Sequence, residues 1–252
     1  MKHTLCRLAL SFIICHLSFS GVAAQTDTLT VRIKGMRCDE CAHKVMTIVR
    51  QLPGIESLRS NTERRTTTIV FDRSKTCADS IEARLAATGR YKASPYSPSD
   101  TIRRGMGLRI DDMHCQNCAN KIVKRLEQIE GIDSLSPHLD KHYVFIRYDA
   151  NRTCKDAIRE AIGELGYTPV NYYSDPKVAF AYYIIPKEQA TEDTIDKLLI
   201  NSDAIDDANV NARNGSLAVT YFKNELSADQ LLEAAHQLGI NAEVPAPHEC
   251  KE

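Results

Sequence analysis

The chain has no tryptophan, and aromatic residues make up only 6% of it. That scarcity argues against one large core built on aromatic rings and points to several small cores of aliphatic side chains. An excess of charge of one sign is missing too: 32 Lys and Arg against 33 Asp and Glu leave a net charge of −1. A nucleic-acid-binding domain carries a basic stripe or face, so nucleic acid is not an expected partner. Beyond residue 24 no stretch is long and apolar enough to cross a membrane, a task that takes about 20 residues as a helix. What is present is a globular composition, 43% hydrophobic and 26% charged. At 252 residues the chain has room for one large domain or two to three small ones.

The first 24 residues read as a secretory signal. Lys2 and Arg7 give a basic start, residues 8–19 an apolar run, and Val22-Ala23-Ala24 the small residues of a cleavage site. Cleavage is expected after Ala24, leaving an exported protein, periplasmic or at the cell surface or secreted, with no stable membrane insertion. A membrane anchor is the competing reading, but the apolar run is too short to span comfortably. Cys6 and Cys15 leave with the signal, and seven cysteines remain in a compartment where disulfides form. Seven is odd, so at least one thiol is free, intermolecular or metal-bound.

One short stretch occurs twice and organises the rest. The first copy is Gly35-Met36-Arg37-Cys38-Asp39-Glu40-Cys41, and the second is Asp112-Met113-His114-Cys115-Gln116-Asn117-Cys118. Ahead of the first, residues 28–34 alternate with Leu29, Val31 and Ile33 on one face, which predicts a strand. After it, Val45, Ile48, Val49 and Leu52 recur at helical spacing until Pro53-Gly54. Strands over 56–60 and 66–71, a helix over 77–89 and a strand over 91–96 complete the order βαββαβ. A linker with Pro95, Pro98 and Ser99 follows, and the same order starts again. Here the expectations are a strand at 108–111, a helix ending at Gly131, a hairpin of 133–139 with 142–148, a helix over 154–166 and a strand over 167–173. Cys38 and Cys115, Cys41 and Cys118, and Cys77 and Cys154 are each 77 residues apart, the mark of a duplicated domain.

A third, fainter copy follows. Its expected elements are a strand at 178–185, a helix at 194–205, a hairpin of 208–212 with 216–222 across Asn214-Gly215, a helix capped by Ser227 and a strand at 242–244. Its first strand-to-helix loop holds Pro186-Lys187-Glu188-Gln189 and no cysteine. The predicted layout is a signal at 1–24, domains at 25–97 and 105–174 with a cysteine motif each, a degenerate domain at 177–246 and a tail at 247–252. The fold class is α+β.

A βαββαβ unit of about 70 residues with Gly-Met-x-Cys-x-x-Cys after its first strand resembles the heavy-metal-associated domain. That resemblance implies tandem ferredoxin-like sandwiches, two clear and one degenerate. It covers residues 28–96 and 106–173 well, and 177–245 in pattern only. The second copy departs from it with Asp112 where glycine is usual. The family occurs in copper chaperones, in the amino-terminal tails of metal-pumping ATPases and in mercury-binding proteins. The resemblance therefore implies a non-catalytic carrier of a soft ion, foremost copper(I), with zinc or another soft metal as alternatives. Its partner would be a donor or acceptor protein with a thiolate site of its own. It also implies that Tyr167, after Gly166, shields the second site, and that Tyr91, shifted by one place, does so less well at the first.

The chemistry of the residues supports that reading. Cys41 and Cys118 fall in the first turn of a helix and their partners Cys38 and Cys115 just before it, so two sulfurs can converge on one ion. The positive helix end stabilises thiolate, and thiolate is the ligand. Soft sulfur selects Cu(I), Zn(II) or heavier ions over Mg or Ca. Structural zinc wants a closed set of four ligands and each loop offers two, whereas copper(I) accepts two or three. The competing readings are a disulfide within each pair, with a thiol-disulfide exchange function, and an interaction module in which the two loops share one structural zinc. Met36 and Met113 are expected as core plugs, and His114 as a loop histidine that binds nothing. Cys77 and Cys154 head apolar helix faces and are expected as small buried residues, away from the metal loops. Pro247-His248-Glu249-Cys250 is expected to be a frayed end.

Overall fold

The computed structural model describes residues 25–246. The predicted signal and the 247–252 tail lie outside the described residues. Among the described residues no helix is long and apolar enough to cross a membrane.

The first unit runs β1 (Thr26–Lys34), α1 (Asp39–Arg50), β2 (Ile55–Asn61), β3 (Thr66–Asp72), α2 (Ala78–Ala86) and β4 (Lys92–Pro95). Its antiparallel sheet has the order β2-β3-β1-β4. The strand alternation seen in sequence places Val31 and Ile33 inward, both with no exposed surface, and Ile69 and Phe71 join them from β3. Val45 and Val49 from α1, and Ile81 and Leu85 from α2, cover this face of the sheet.

The second unit repeats the plan as β5 (Arg103–Arg109), α3 (Gln116–Leu126), β6 (Ile132–His138), β7 (Tyr143–Asp149), α4 (Lys155–Gly163) and β8 (Val170–Asn171), in the sheet order β6-β7-β5-β8. The third has β9 (Val178–Ile184), α5 (Glu192–Asn201), β10 (Ile205–Asn211), β11 (Ser216–Phe222) and α6 (Ala228–Gln237), with a sheet ordered β10-β11-β9. A capping box between Ser227 and Gln230 starts α6.

The three units share one backbone device. Arg65, His142 and Gly215 end the central hairpins with positive φ of 56°, 51° and 73°. Their carbonyls accept from Ile33, Ile110 and Ile185, each at 2.7 Å, so each first strand is tied to its hairpin at the same point. The structure has the expected α+β class with helices packed on antiparallel sheets.

Several boundaries differ from expectation. The helix expected to reach Gly131 stops at Leu126. Ile205, expected in a helix, opens β10 instead, after Ser202 turns extended. The closing strand expected at 242–244 is a single bridge from Glu243 to Ile184. Pro245 follows at once, and a proline has no N–H to extend a ladder. The strand expected at 167–173 shortens to Val170–Asn171 behind Pro169 for the same reason. Cys77 and Cys154 are not core residues. Each is the extended residue just before a helix, and Cys77 is exposed while Cys154 is half-buried. An N-cap lies outside the helical periodicity, so extrapolating the apolar face of α2 and α4 back by one turn overreached.

The units touch one another. The turn between β2 and β3 meets the end of the second unit farthest from its cysteine loop. Glu63 accepts from the Tyr148 hydroxyl and, at 2.8 Å, from Lys155 N, while Arg64 Nε donates to Ala150 O at 2.9 Å. The third unit lies along β8, where the Arg159–Asp207 ion pair at 2.9 Å is largely buried.

Candidate metal centre

Each cysteine pair stands where a first strand hands over to a first helix. In the first unit β1 ends at Lys34 and the chain turns through Gly35, whose φ is +98°. A Cβ at Gly35 would lie 2.5 Å from the Arg90 carbonyl oxygen, so the close passage of two loops excludes any side chain. Met36 then dives into the core, with no exposed surface and the Thr67 hydroxyl donating to its sulfur at 3.9 Å. With Met36 as anchor, Cys38 is left exposed as the residue before α1, and Cys41 is tucked into the first turn at 5% exposure. The Cys38 thiol donates to the Cys41 sulfur at 3.0 Å. An Arg90 Nη2 donates to the same sulfur at 3.5 Å. The hydrogen bond from Cys38, helped by backbone N–H groups of Arg37 and Cys38 and by the Arg90 charge, lowers the Cys41 thiol to about 7. At neutral pH a large share of Cys41 is thereby already thiolate, the form that binds soft metals.

The second pair has the same skeleton. Met113 is fully buried, Cys115 precedes α3 and Cys118 sits in its first turn, and the two sulfurs are 2.9 Å apart. The Cys115 sulfur also accepts from Cys118 N at 3.4 Å. Burial pushes the Cys118 thiol up, but hydrogen bonds from Cys115, from the Tyr167 hydroxyl and from backbone N–H groups outweigh it, and the thiol is lowered overall. The six described cysteines are free thiols.

Around the pairs the two sites diverge. The places 77 residues apart are Arg90 and Tyr167: a guanidinium caps the first pair, and a phenol caps the second. Tyr167 therefore stands where the resemblance puts it. Tyr91 is buried beneath Arg90 with its hydroxyl lacking a hydrogen-bond partner, and burial, with the Cys41 sulfur nearby, raises its phenol. Asp112 takes the place of Gly35 but has no positive φ, so the second loop follows a different path. Its carboxyl is buried, with Oδ2 unpartnered and Oδ1 accepting from Thr168 N at 3.5 Å. Burial, with Asp111 alongside, pushes Asp112 up to about 7. His114, expected as an exposed loop residue, is half-buried and meets His142 edge-on, ring centroids 5.7 Å apart.

Among the described residues, no cluster of three or more His, Cys, Asp or Glu side chains is placed to hold an ion. Each pair is a two-sulfur site: in the first Cys41 is screened and Cys38 open, and in the second both thiols are half-buried. Sequence reasoning missed Arg90. Its position, one residue after Gly89 in register with the Gly166-Tyr167 pair, was the available signal.

The heavy-metal-associated domain profile matches residues 30–90 and 108–168. The chain carries two heavy-metal-associated domains in tandem. Over 139 residues it is 24% identical to the copper-exporting P-type ATPase of Bacillus subtilis, a match covering 55% of this chain and 16% of that protein. Over 156 residues it is 24% identical to human copper-transporting ATPase 2, covering 58% of this chain and 11% of that protein. The chain thus matches only a small part of these relatives' length. Among solved structures, the N-terminal soluble domains of Bacillus subtilis CopA match 61% of this chain and 98% of that one, at 22% identity and a TM-score of 0.27. Oxidized MerP from Ralstonia metallidurans CH34 matches 29% of this chain and 99% of that one, at 26% identity and a TM-score of 0.27. Both heavy-metal-associated matches contain one Cys-x-x-Cys pair each, and the third unit lies outside them.

Proposed function

We propose that this protein binds copper(I) at Cys38/Cys41 and at Cys115/Cys118, and that it buffers the ion or passes it to a partner with a thiolate site. The observation that carries the reading is the paired geometry: an exposed or half-exposed thiol within 3.0 Å of a second thiol at a helix start, built twice. The donor set fits the ion. Two soft sulfurs suit copper(I), which is content with two ligands, better than zinc, which asks for four. The named relatives are a copper-exporting and a copper-transporting ATPase, which supports a soft-metal cargo. The exposed Cys38 is the atom a partner's thiolate could reach first, and an unsaturated ion is open to that attack. No catalytic step is assigned. The leader-like residues 1–24 support work outside the cytoplasm, where a thiolate carrier must be kept reduced or be loaded before oxidation.

The competing readings make different counts. Reduced protein titrated anaerobically with copper(I) against bicinchoninate should take up two ions per chain. One tightly held zinc per chain would favour a site shared between the loops. Turnover with a dithiol substrate and no retained metal would favour thiol-disulfide exchange.

A further inference from the structure

The third unit makes its contacts where they matter for the second pair. The loop at 163–168 carries Tyr167 to Cys118, and it is held from outside its own domain. Asn211 Nδ2 donates to Gly163 O at 3.1 Å and to Tyr167 O at 3.0 Å. Asn214 Nδ2 donates to Gly166 O at 2.9 Å. Arg213 donates to Glu164 O, and the fully buried Thr168 and Ser216 hydroxyls bond to each other. Just past the loop, Asn209 Nδ2 donates to Pro169 O at 2.7 Å. These partners belong to β10, β11 and the turn joining them, the hairpin whose counterparts in the other units end at Arg65 and His142.

Among the described residues, the hydrogen bonds of the equivalent loop of the first unit stay within its own domain. Thr88 Oγ1 donates to Leu85 O at 2.7 Å and accepts from Arg90 N and Tyr91 N at 3.3 and 3.2 Å. Two loops of the same origin thus have different supports. Backbone carbonyls bonded to another domain open only when that contact opens, so such a loop loses the freedom a surface loop usually has.

We propose that the third unit is a clamp for the second site: Asn211 and Asn214 are positioning residues that hold Tyr167 over Cys118, which makes Cys115/Cys118 the slower-exchanging pair and Cys38/Cys41 the faster. The degenerate unit has then kept its fold for a task other than binding metal. Its hairpin turn, free of any duty to a site of its own, supplies the side-chain donors. The positioning of Tyr167 stands apart from the metal reading, whereas the ranking of exchange rates rests on it.

Asn211→Asp with Asn214→Asp tests the clamp in the full chain. Each change keeps the Oδ1 acceptors that shape the turn toward Arg213 N and Ser216 N, and turns each Nδ2 donor into a carboxylate oxygen that repels the carbonyl it faced. The first readout needs no metal: iodoacetamide labelling of reduced, metal-free protein, followed cysteine by cysteine by peptide mass spectrometry. Labelling at Cys115 and Cys118 should speed up about tenfold, the loss of several interdomain hydrogen bonds, while Cys38 and Cys41 keep their rates. Tyr167→Ala, which removes the ring that covers the thiol, should raise Cys118 labelling as well, and adding the Asp pair to it should add little, because both act through one side chain. If the double variant fails to fold, the exposed Asn214→Ala alone carries the same test. Unchanged labelling at Cys115 and Cys118, or full additivity with Tyr167→Ala, overturns the clamp. The second readout is copper(I) transfer to bicinchoninate, which should quicken at the second site only. Copper(I) that binds neither pair would overturn the metal reading, while the labelling result would still decide the clamp.

Discussion

The two cysteine pairs share spacing, a helix start and nearly equal sulfur separations, yet they sit under different covers. The first is capped by the guanidinium of Arg90 on a loop whose hydrogen bonds, among the described residues, stay within its own domain, and its chain turns through a glycine at φ +98°. The second is capped by the Tyr167 phenol on a loop gripped by a neighbouring domain, and a buried carboxyl replaces the glycine. Duplication kept what brings two sulfurs together: the buried methionine, the helix start and the hairpin tie to the first strand. It let go of what governs access. The comparison teaches that a motif fixes which atoms meet, while the loops around it set how readily a partner or a proton reaches them.

The sharpest break should come from the glycine. Gly35→Ala puts a Cβ against the Arg90 carbonyl at a left-handed φ and should destabilise the first domain by roughly 2–4 kcal/mol. Amide exchange of β1 and α1 in the full chain reads that loss. Asp112→Gly should show no comparable loss in β5 and α3, because the second loop never enters the left-handed region. Equal losses would show that the two loops are built alike after all.

A smaller effect separates the sites by pH. The folded state holds the Asp112 proton more tightly than the unfolded chain does, with a value near 7 against the ordinary carboxyl value near 3.9. The resulting stability is fully present below about 3.9 and is lost as pH rises through about 7. The second domain should therefore weaken by on the order of 1–3 kcal/mol across that window, with Asp112→Asn flattening the slope. The first domain has Gly35 at that place and should lack this component. Denaturant midpoints followed by domain-resolved exchange check it, and a slope that survives Asp112→Asn would point to another group.

Smaller again is the charge over the first pair. The Arg90 guanidinium is a minor contributor to the lowered Cys41 thiol, behind the Cys38 hydrogen bond and backbone N–H groups. Arg90→Ala should move the midpoint of Cys41 alkylation upward by less than about one pH unit. The Cys118 profile should stay where it is. The smallest effect belongs to Cys77, an exposed N-cap with no capping bond to its helix. Cys77→Ser supplies a better cap and should stabilise α2 by up to about 1 kcal/mol, with metal count unchanged.

Much of this was legible in the chain itself. Alternation in β1 and β3, the 3.6-residue spacing in α1 and α4 and the Asn214-Gly215 turn each depend on near neighbours, and each emerges where the pattern puts it. The paired sulfurs were legible because Cys-x-x-Cys at a helix start leaves little choice of geometry. Cys77 and Cys154 misled because an apolar face was extended one residue past the helix, where periodicity no longer governs direction. Arg90 was hidden by its surface-like context, since nothing local says that a guanidinium lies on a thiol 49 residues away. The grip of Asn211 and Asn214 on the 163–168 loop was out of reach for the same reason. It depends on how two domains pack, and no repeat or spacing within either of them encodes that.

The central claim is that each pair is a complete site. Its most direct test is the metal count of the full chain carrying Cys115→Ser and Cys118→Ser, reduced, anaerobic and titrated with copper(I). One ion should remain, held at Cys38 and Cys41 with nearly the wild-type affinity of that pair. A chain that retains none would contradict the account, because it would mean that both loops build a single site.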